Sequence, residues 1–412
     1  MSAQDSEIGS GQAALAEQAT LSTGEYIQGY LKRVRGGELG TLPIIIGLVL
    51  IALIFQSLNQ NYLTPVNFVN LIVQSAGIAT IAVGVVFVLL LGEIDLSIGF
   101  VSAVCGVVMT IIFKELGWPW MVTIPAALIV VTFIGLVQGM IITGFGLPSF
   151  IVTLAGLLVW NGVVLILVGA GGTIILQDAV AVGIANAFLP DEWGWGLAIA
   201  IIIAYAAATL LANRTRRVEG LTTTPMPLII AQIVLVALFI VGAVYVCNQD
   251  RGVPFVGVLL AIFLVLFSFI ATRTPFGRYV YAVGGSAEAA RRAGISVDRI
   301  RVIVFMLSSF MAGWGGIILA SRLRSVATNS GGGNLVLNCI AAAVIGGTSL
   351  FGGRGRVVSA LLGALVVGSV ENGMGLLGLS AGAKFIITGL VLLAAVLVDA
   401  LARRSRVRAG RA

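Results

Sequence analysis

Histidine is missing from all 412 residues. That removes the commonest metal ligand and the usual general base, so no metal site and no histidine-dependent hydrolase is expected. Charge is almost as scarce: Asp, Glu, Lys and Arg make up 10% of the chain, against about 25% in soluble proteins. No charged residue falls between Glu38 and Glu93, or between Glu115 and Asp178. At about 1.5 Å per helical residue, each gap accommodates more than one crossing of a ~30 Å hydrocarbon core. The apolar runs also lack the strict alternation of a membrane β-barrel. Cys105, Cys247 and Cys339 have no pairing pattern and read as small buried hydrophobes. No Gly-x-x-x-x-Gly-Lys-Ser/Thr run occurs, so a P-loop for hydrolysing ATP is excluded. Neither a catalytic residue set nor a cofactor site emerges.

What remains is a mean hydropathy of +1.09, organised as an all-α polytopic membrane protein of about twelve spans, ten at the fewest. The expected spans are 43–58, 68–91, 96–113, 119–143, 149–168, 196–212, 226–247, 255–272, 302–320, 335–350, 357–371 and 380–398. Residues 1–42 read as a polar, largely disordered cytoplasmic tail, 43–400 as the transmembrane domain, and 401–412 as a basic cytoplasmic tail. With both termini in the cytoplasm, 19 Lys and Arg lie on that side and 5 (Lys114, Arg251, Arg322, Arg324, Lys384) on the other, the asymmetry that retention of positive charge predicts. The net charge of +7 abuts the spans and suits the lipid bilayer rather than nucleic acid.

The most polar segment between spans is 273–301, with Arg273, Arg278, Arg291, Arg292, Arg299 and Arg301 against Glu288 and Asp298. Ser286 is placed to cap a short helix, Glu288 lies in its first turn, Arg291 and Arg292 in its last, and Gly294 follows as a left-handed terminator. Glu288-Ala289-Ala290, three residues, then Gly294 resembles the E-A-A-x-x-x-G signature of ABC importer permeases. Phe276-Gly277-Arg278-Tyr279, Gly284-Gly285, Glu93-Ile94-Asp95-Leu96-Ser97-Ile98-Gly99, Pro148–Gly156 and Ile345–Leu350 resemble the ribose/xylose branch of the sugar permeases. The likeness covers roughly residues 40–400. Ser286 stands where that branch commonly has Asn, and Asn338-Cys339 where it has Asp-Ala, which removes a carboxylate.

The resemblance implies a permease subunit in the bacterial cytoplasmic (inner) membrane, gripped through 273–301 by a separate ABC ATPase. It also implies a homodimer, supplied with a monosaccharide, xylose in the first place, by an extracytoplasmic binding protein. An ion-coupled secondary sugar transporter, or an ABC permease for ribose or another sugar, is the competing reading.

Glu93 and Asp95 are the only acids between Glu38 and Glu115, and a charge at membrane depth needs a reason. Asp95 is expected to cap the helix beginning near Leu96, with Ser97 supporting the turn and Gly99 completing a helix break or gate. Asn161, Asn338, Glu371 and Asn372 are the pathway candidates, since amides offer a neutral sugar donors and acceptors; Gln74 and Gln138 are further in-span amides. Gly313, Gly315 and Gly316, with Gly363 and Gly368, are expected to bring helices close together. Ser330–Asn334 reads as a flexible outer loop. The turns in 79–99 and 341–358 echo each other and are expected on the same side.

Overall fold

The computed structural model describes residues 41–391 apart from 222, together with 24, 28, 393 and 397. The expected tails 1–42 and 401–412 lie almost wholly outside the described residues. The chain divides into two compact units, one holding Leu189–Val253 and the other Thr41–Phe188 with Pro254–Leu401.

The larger unit contains α1 (Leu42–Leu58), α2 (Pro65–Leu90), α3 (Ile98–Ile111, extended by a π-helical turn to Leu116), α4 (Trp120–Phe145), α5 (Ser149–Val168), strand β1 (Thr173–Ile175) and α6 (Ala179–Asn186). The smaller unit is the helix pair α7 (Asp191–Val218) and α8 (Met226–Asn248). Back in the larger unit follow α9 (Phe255–Arg273), α10 (Pro275–Gly285), α11 (Ala287–Arg292), α12 (Val297–Leu323), β2 (Ser325–Ala327), α13 (Leu335–Ile345), α14 (Val357–Leu376) and α15 (Ala381–Val391). Nine of the described helices are long and apolar enough to cross a membrane, and α1, α13 and α15 are shorter apolar helices. Each of the twelve expected segments therefore carries a helix, but not every helix is a full span.

The core forms around α12, which packs on α2, α3 and α4. Small residues permit this: a Cβ on Gly316 would sit 1.9 Å from the Ser102 carbonyl oxygen, and one on Gly315 2.2 Å from Ile81. Gly363 approaches the Ala342 carbonyl in the same way. All three cysteines are buried. In the smaller unit, the acids Asp191 and Glu192 begin α7 and Arg216 and Arg217 end it, complementing the helix dipole. The Gln232 amide donates to the Tyr205 hydroxyl at 2.6 Å across the α7–α8 pair.

Two expectations need correction. The run 335–350 was expected to be one span, but α13 stops at Ile345, where Gly347 turns left-handed (φ +98°) and the Thr348 N–H folds back to the Ala343 carbonyl. Its 11 residues reach only about 16 Å, half a bilayer core. The segment before it is no free loop either. β1 pairs antiparallel with β2, Thr173 opposite Ala327, and the chain then turns into the bundle until Gly331 meets Gly99, where a Cβ on either residue would stand 2.5 Å or less from the other's carbonyl oxygen. Irregular backbone inside a membrane bundle persists where protein encloses it. Here the irregular segment 328–334 is enclosed by the start of α3, where Gly331 meets Gly99 and Gly332 meets Phe100.

Candidate coupling surface and polar pathway

Ser286 accepts the Ala289 N–H at 3.2 Å and caps α11. Glu288 reaches Arg292 at 3.1 Å and Arg291 at 3.7 Å. At the other end, Ile295 N–H bonds the Ala290 carbonyl, Gly294 N–H bonds that of Arg291, and Gly294 has φ +83°; this is the Schellman arrangement in which glycine is favoured. Ala290 is buried and anchors the turn, while Ser286, Glu288, Ala289, Arg291 and Gly294 face outward. A six-residue helix is thus locked at both ends and offered to solvent. More of the loop is helical than expected, because Gly277, Val280 and Val283 give α10 an apolar face that it buries.

This surface is tied to the interior. A Cβ on Gly284 would lie 1.7 Å from the Leu90 carbonyl oxygen, which also accepts Gly353 N–H at 2.9 Å. Tyr281 donates its hydroxyl to the Gly355 carbonyl at 2.8 Å; burial pushes its phenol above the usual range, with Arg356 pulling the other way, so it stays a neutral donor. Arg301, near the start of α12, pairs with Glu93 at 3.0 Å. The echoed turns do lie on the same side, and α10 rests on both.

Beyond Glu93 the break is buried. Asp95 Oδ1 accepts the Ser97 N–H at 3.0 Å and the Ser97 hydroxyl at 2.7 Å, while Oδ2 accepts the Ser308 hydroxyl at 3.2 Å. The expected cap is therefore displaced: Ser97 occupies the N-cap position of α3, and Asp95 closes a side-chain turn two residues earlier. The carboxylate sits there because Ser308 of α12, a residue that sequence reasoning missed, supplies a third donor.

Three of the four pathway candidates come together at the opposite end of the bundle. The Asn338 amide donates to Glu371, and Asn372 exchanges bonds of 2.8 and 2.9 Å with Asn67 and donates to Gln74 at 3.3 Å. Glu371 and Asn372 line an open polar cavity of about 470 Å³ with Asn67, Gln74, Arg322 and Lys384. Asn161, half-buried on α5, is not part of it. A larger cavity of about 1000 Å³, walled by Trp120, Leu128, Phe133, Phe310 and Trp314, is almost wholly apolar and offers a polyol no partners. Asn67 and Asn70 were missed, and the signal for them was their place on α2 seven and four residues before Gln74, an in-span amide named in the sequence, which puts all three on one face.

The family described as branched-chain amino acid transport system / permease component matches residues 67–396, a range that holds all of these features. The chain belongs to this permease family. Among its relatives is the xylose transport system permease protein XylH of Escherichia coli (strain K12), 36% identical over 368 residues that cover 89% of this chain and 93% of that one. XylH of Haemophilus influenzae is 34% identical, covering 87% and 96%. The ribose import permease protein RbsC of Bacillus subtilis (strain 168) is 31% identical, covering 91% and 98%. No solved structure matches the chain. The resemblance to the ribose/xylose branch is borne out, and in this permease the E-A-A-x-x-x-G segment, the helix break and the polar cavity belong to one bundle.

Proposed function

We propose that this permease is the membrane subunit of an ATP-binding-cassette importer carrying a monosaccharide, D-xylose first, into the cytoplasm. A separate ATPase grips α11, an extracytoplasmic binding protein delivers the sugar, and two copies of the chain form the conduit in the inner membrane with both termini cytoplasmic. The likeness to xylose and ribose permeases supports the cargo, and the excess of Lys and Arg on the side of 273–301 supports the orientation. The observation that carries the reading is the connection of an exposed, doubly capped helix to the buried break, through Gly284 on Leu90 and Arg301 on Glu93. Force applied at α11 has a short covalent and packed route to Asp95.

The test is reconstitution in vesicles with the cognate ATPase and binding protein. Labelled xylose accumulates only when ATP is on the ATPase side, and Arg301→Glu lowers uptake while Glu93→Arg with Arg301→Glu restores part of it. Uptake that runs without ATP and collapses with an uncoupler sinks the assignment in favour of ion coupling. Ribose accumulating in place of xylose changes the cargo and leaves the class standing.

A further inference from the structure

Three helices tie the polar cavity to the coupling end by opposite termini. α2 has Leu90 against Gly284 and Asn67 at the cavity, α12 has Arg301 and Arg322, and α14 begins beside the 351–356 turn and brings Glu371 to the cavity. The 21 residues from Arg301 to Arg322 span about 32 Å at 1.5 Å each, so the cavity lies a membrane's thickness from the ATPase side.

Its walls hold three charges that face one another without a contact ion pair. Among the described residues no ion pair within 4.0 Å joins Glu371 to Arg322 or Lys384, although all three line the same space. Glu371 instead accepts from Asn338, whose own carbonyl oxygen is buried without a partner. The Asn67–Asn372 pair and Gln74 complete a wall of alternating donors and acceptors. A carboxylate accepts hydroxyl protons, a guanidinium and an ammonium donate to hydroxyl oxygens, and amides do both. Charges held apart across an open cavity are matched by a ligand with many hydroxyls on several sides and no charge of its own.

We propose that this cavity is a binding site for a neutral polyol, with Glu371 as hydroxyl acceptor and Arg322 and Lys384 as donors. The inference rests on the transport reading and names where the sugar is first held after handover.

Because the three native cysteines are buried, a thiol placed in the wall by Thr388→Cys is the reactive one. In the full complex, labelling of this thiol by a membrane-impermeant maleimide slows several-fold with saturating xylose and is unaffected by xylonate. In a Glu371→Gln background the protection disappears. Maximal xylose uptake by Glu371→Gln falls roughly tenfold, the difference between a charge-assisted and a neutral hydrogen bond, while stimulation of ATP hydrolysis by the loaded binding protein persists. Labelling indifferent to xylose, protection by xylonate alone, or wild-type uptake in Glu371→Gln overturns the proposal. Uptake with indifferent labelling discards the cavity and keeps the transport reading; protection without uptake keeps the cavity and discards the transport reading.

Discussion

α2 and α8 are both long and apolar enough to cross a membrane, yet 83% of the most apolar stretch is buried in α2 and 6% in α8. Apolarity states that a helix tolerates lipid and leaves open whether it meets protein. The difference lies in side-chain size. α2 carries Ser75, Ala76, Gly77, Ala79, Thr80, Ala82 and Gly84 around its circumference, all buried, whereas α8 displays Ile230, Leu235, Leu238 and Phe239 outward. Where lipid is as oily as protein, close backbone approach and hydrogen bonds drive helix association, and only the first kind of helix permits both.

The same substitution in the two settings gives the largest contrast. Gly316→Val drives a branched side chain into the Ser102 backbone and costs about 3 kcal/mol or more. Gly242→Val on α8 meets nothing within 4 Å and stays within about 0.5 kcal/mol. Loss of the monodisperse peak after heating in detergent measures both, and equal melting temperatures for the pair break the comparison.

Asp95→Leu comes next. It strands the buried Ser97 N–H and Ser308 hydroxyl and destabilises by about 3 kcal/mol. Asp95→Asn keeps an acceptor for Ser97, and Ser308 can rotate to accept from the new amide, so the loss is about 1 kcal/mol. Equal loss of uptake in both variants would show that the charge itself is required.

Gly294→Val strains a φ of +83° in otherwise open space, at about 1–2 kcal/mol. The cost is confined to the α11 exit. The bundle's melting temperature holds while hydrolysis becomes uncoupled from uptake, and normal uptake removes the coupling role from this turn. Smallest in stability is Glu288→Arg, whose exposed ion pairs are worth a few tenths of a kcal/mol. It reduces co-purification of the ATPase without moving the melting temperature, and a wild-type yield of complex counts against α11 as the docking point.

Local features were legible in the sequence because their causes are local. Ser286, Glu288 and Gly294 act within nine residues, and the apolar runs of α4, α5 and α8 end within two residues of where hydropathy placed them. Legibility failed where a partner lies far along the chain. Asp95 looks like a helix cap until Ser308 is known, and Gly331 looks like loose loop until Gly99 meets it. Asn161 and Asn338 are both amides in apolar runs, and nothing local distinguishes the one that finds Glu371 from the one that does not. α13 misled because Gly346 and Gly347 were counted into an apolar run whose helix they terminate.

The Asp95–Ser308 bond also orders events during biosynthesis. The two residues are 213 positions apart, so α2 and α3 enter the bilayer well before the third donor to the Asp95 carboxylate has been translated. In that interval the nascent chain holds at membrane depth a carboxylate with only Ser97 as its donor, a state that water or the insertion machinery must shelter. Completion of α12, which brings Ser308, withdraws that need. A chain truncated before Ser308 therefore presents a standing polar defect, which gives membrane quality control a chemical mark by which to recognise the unfinished permease.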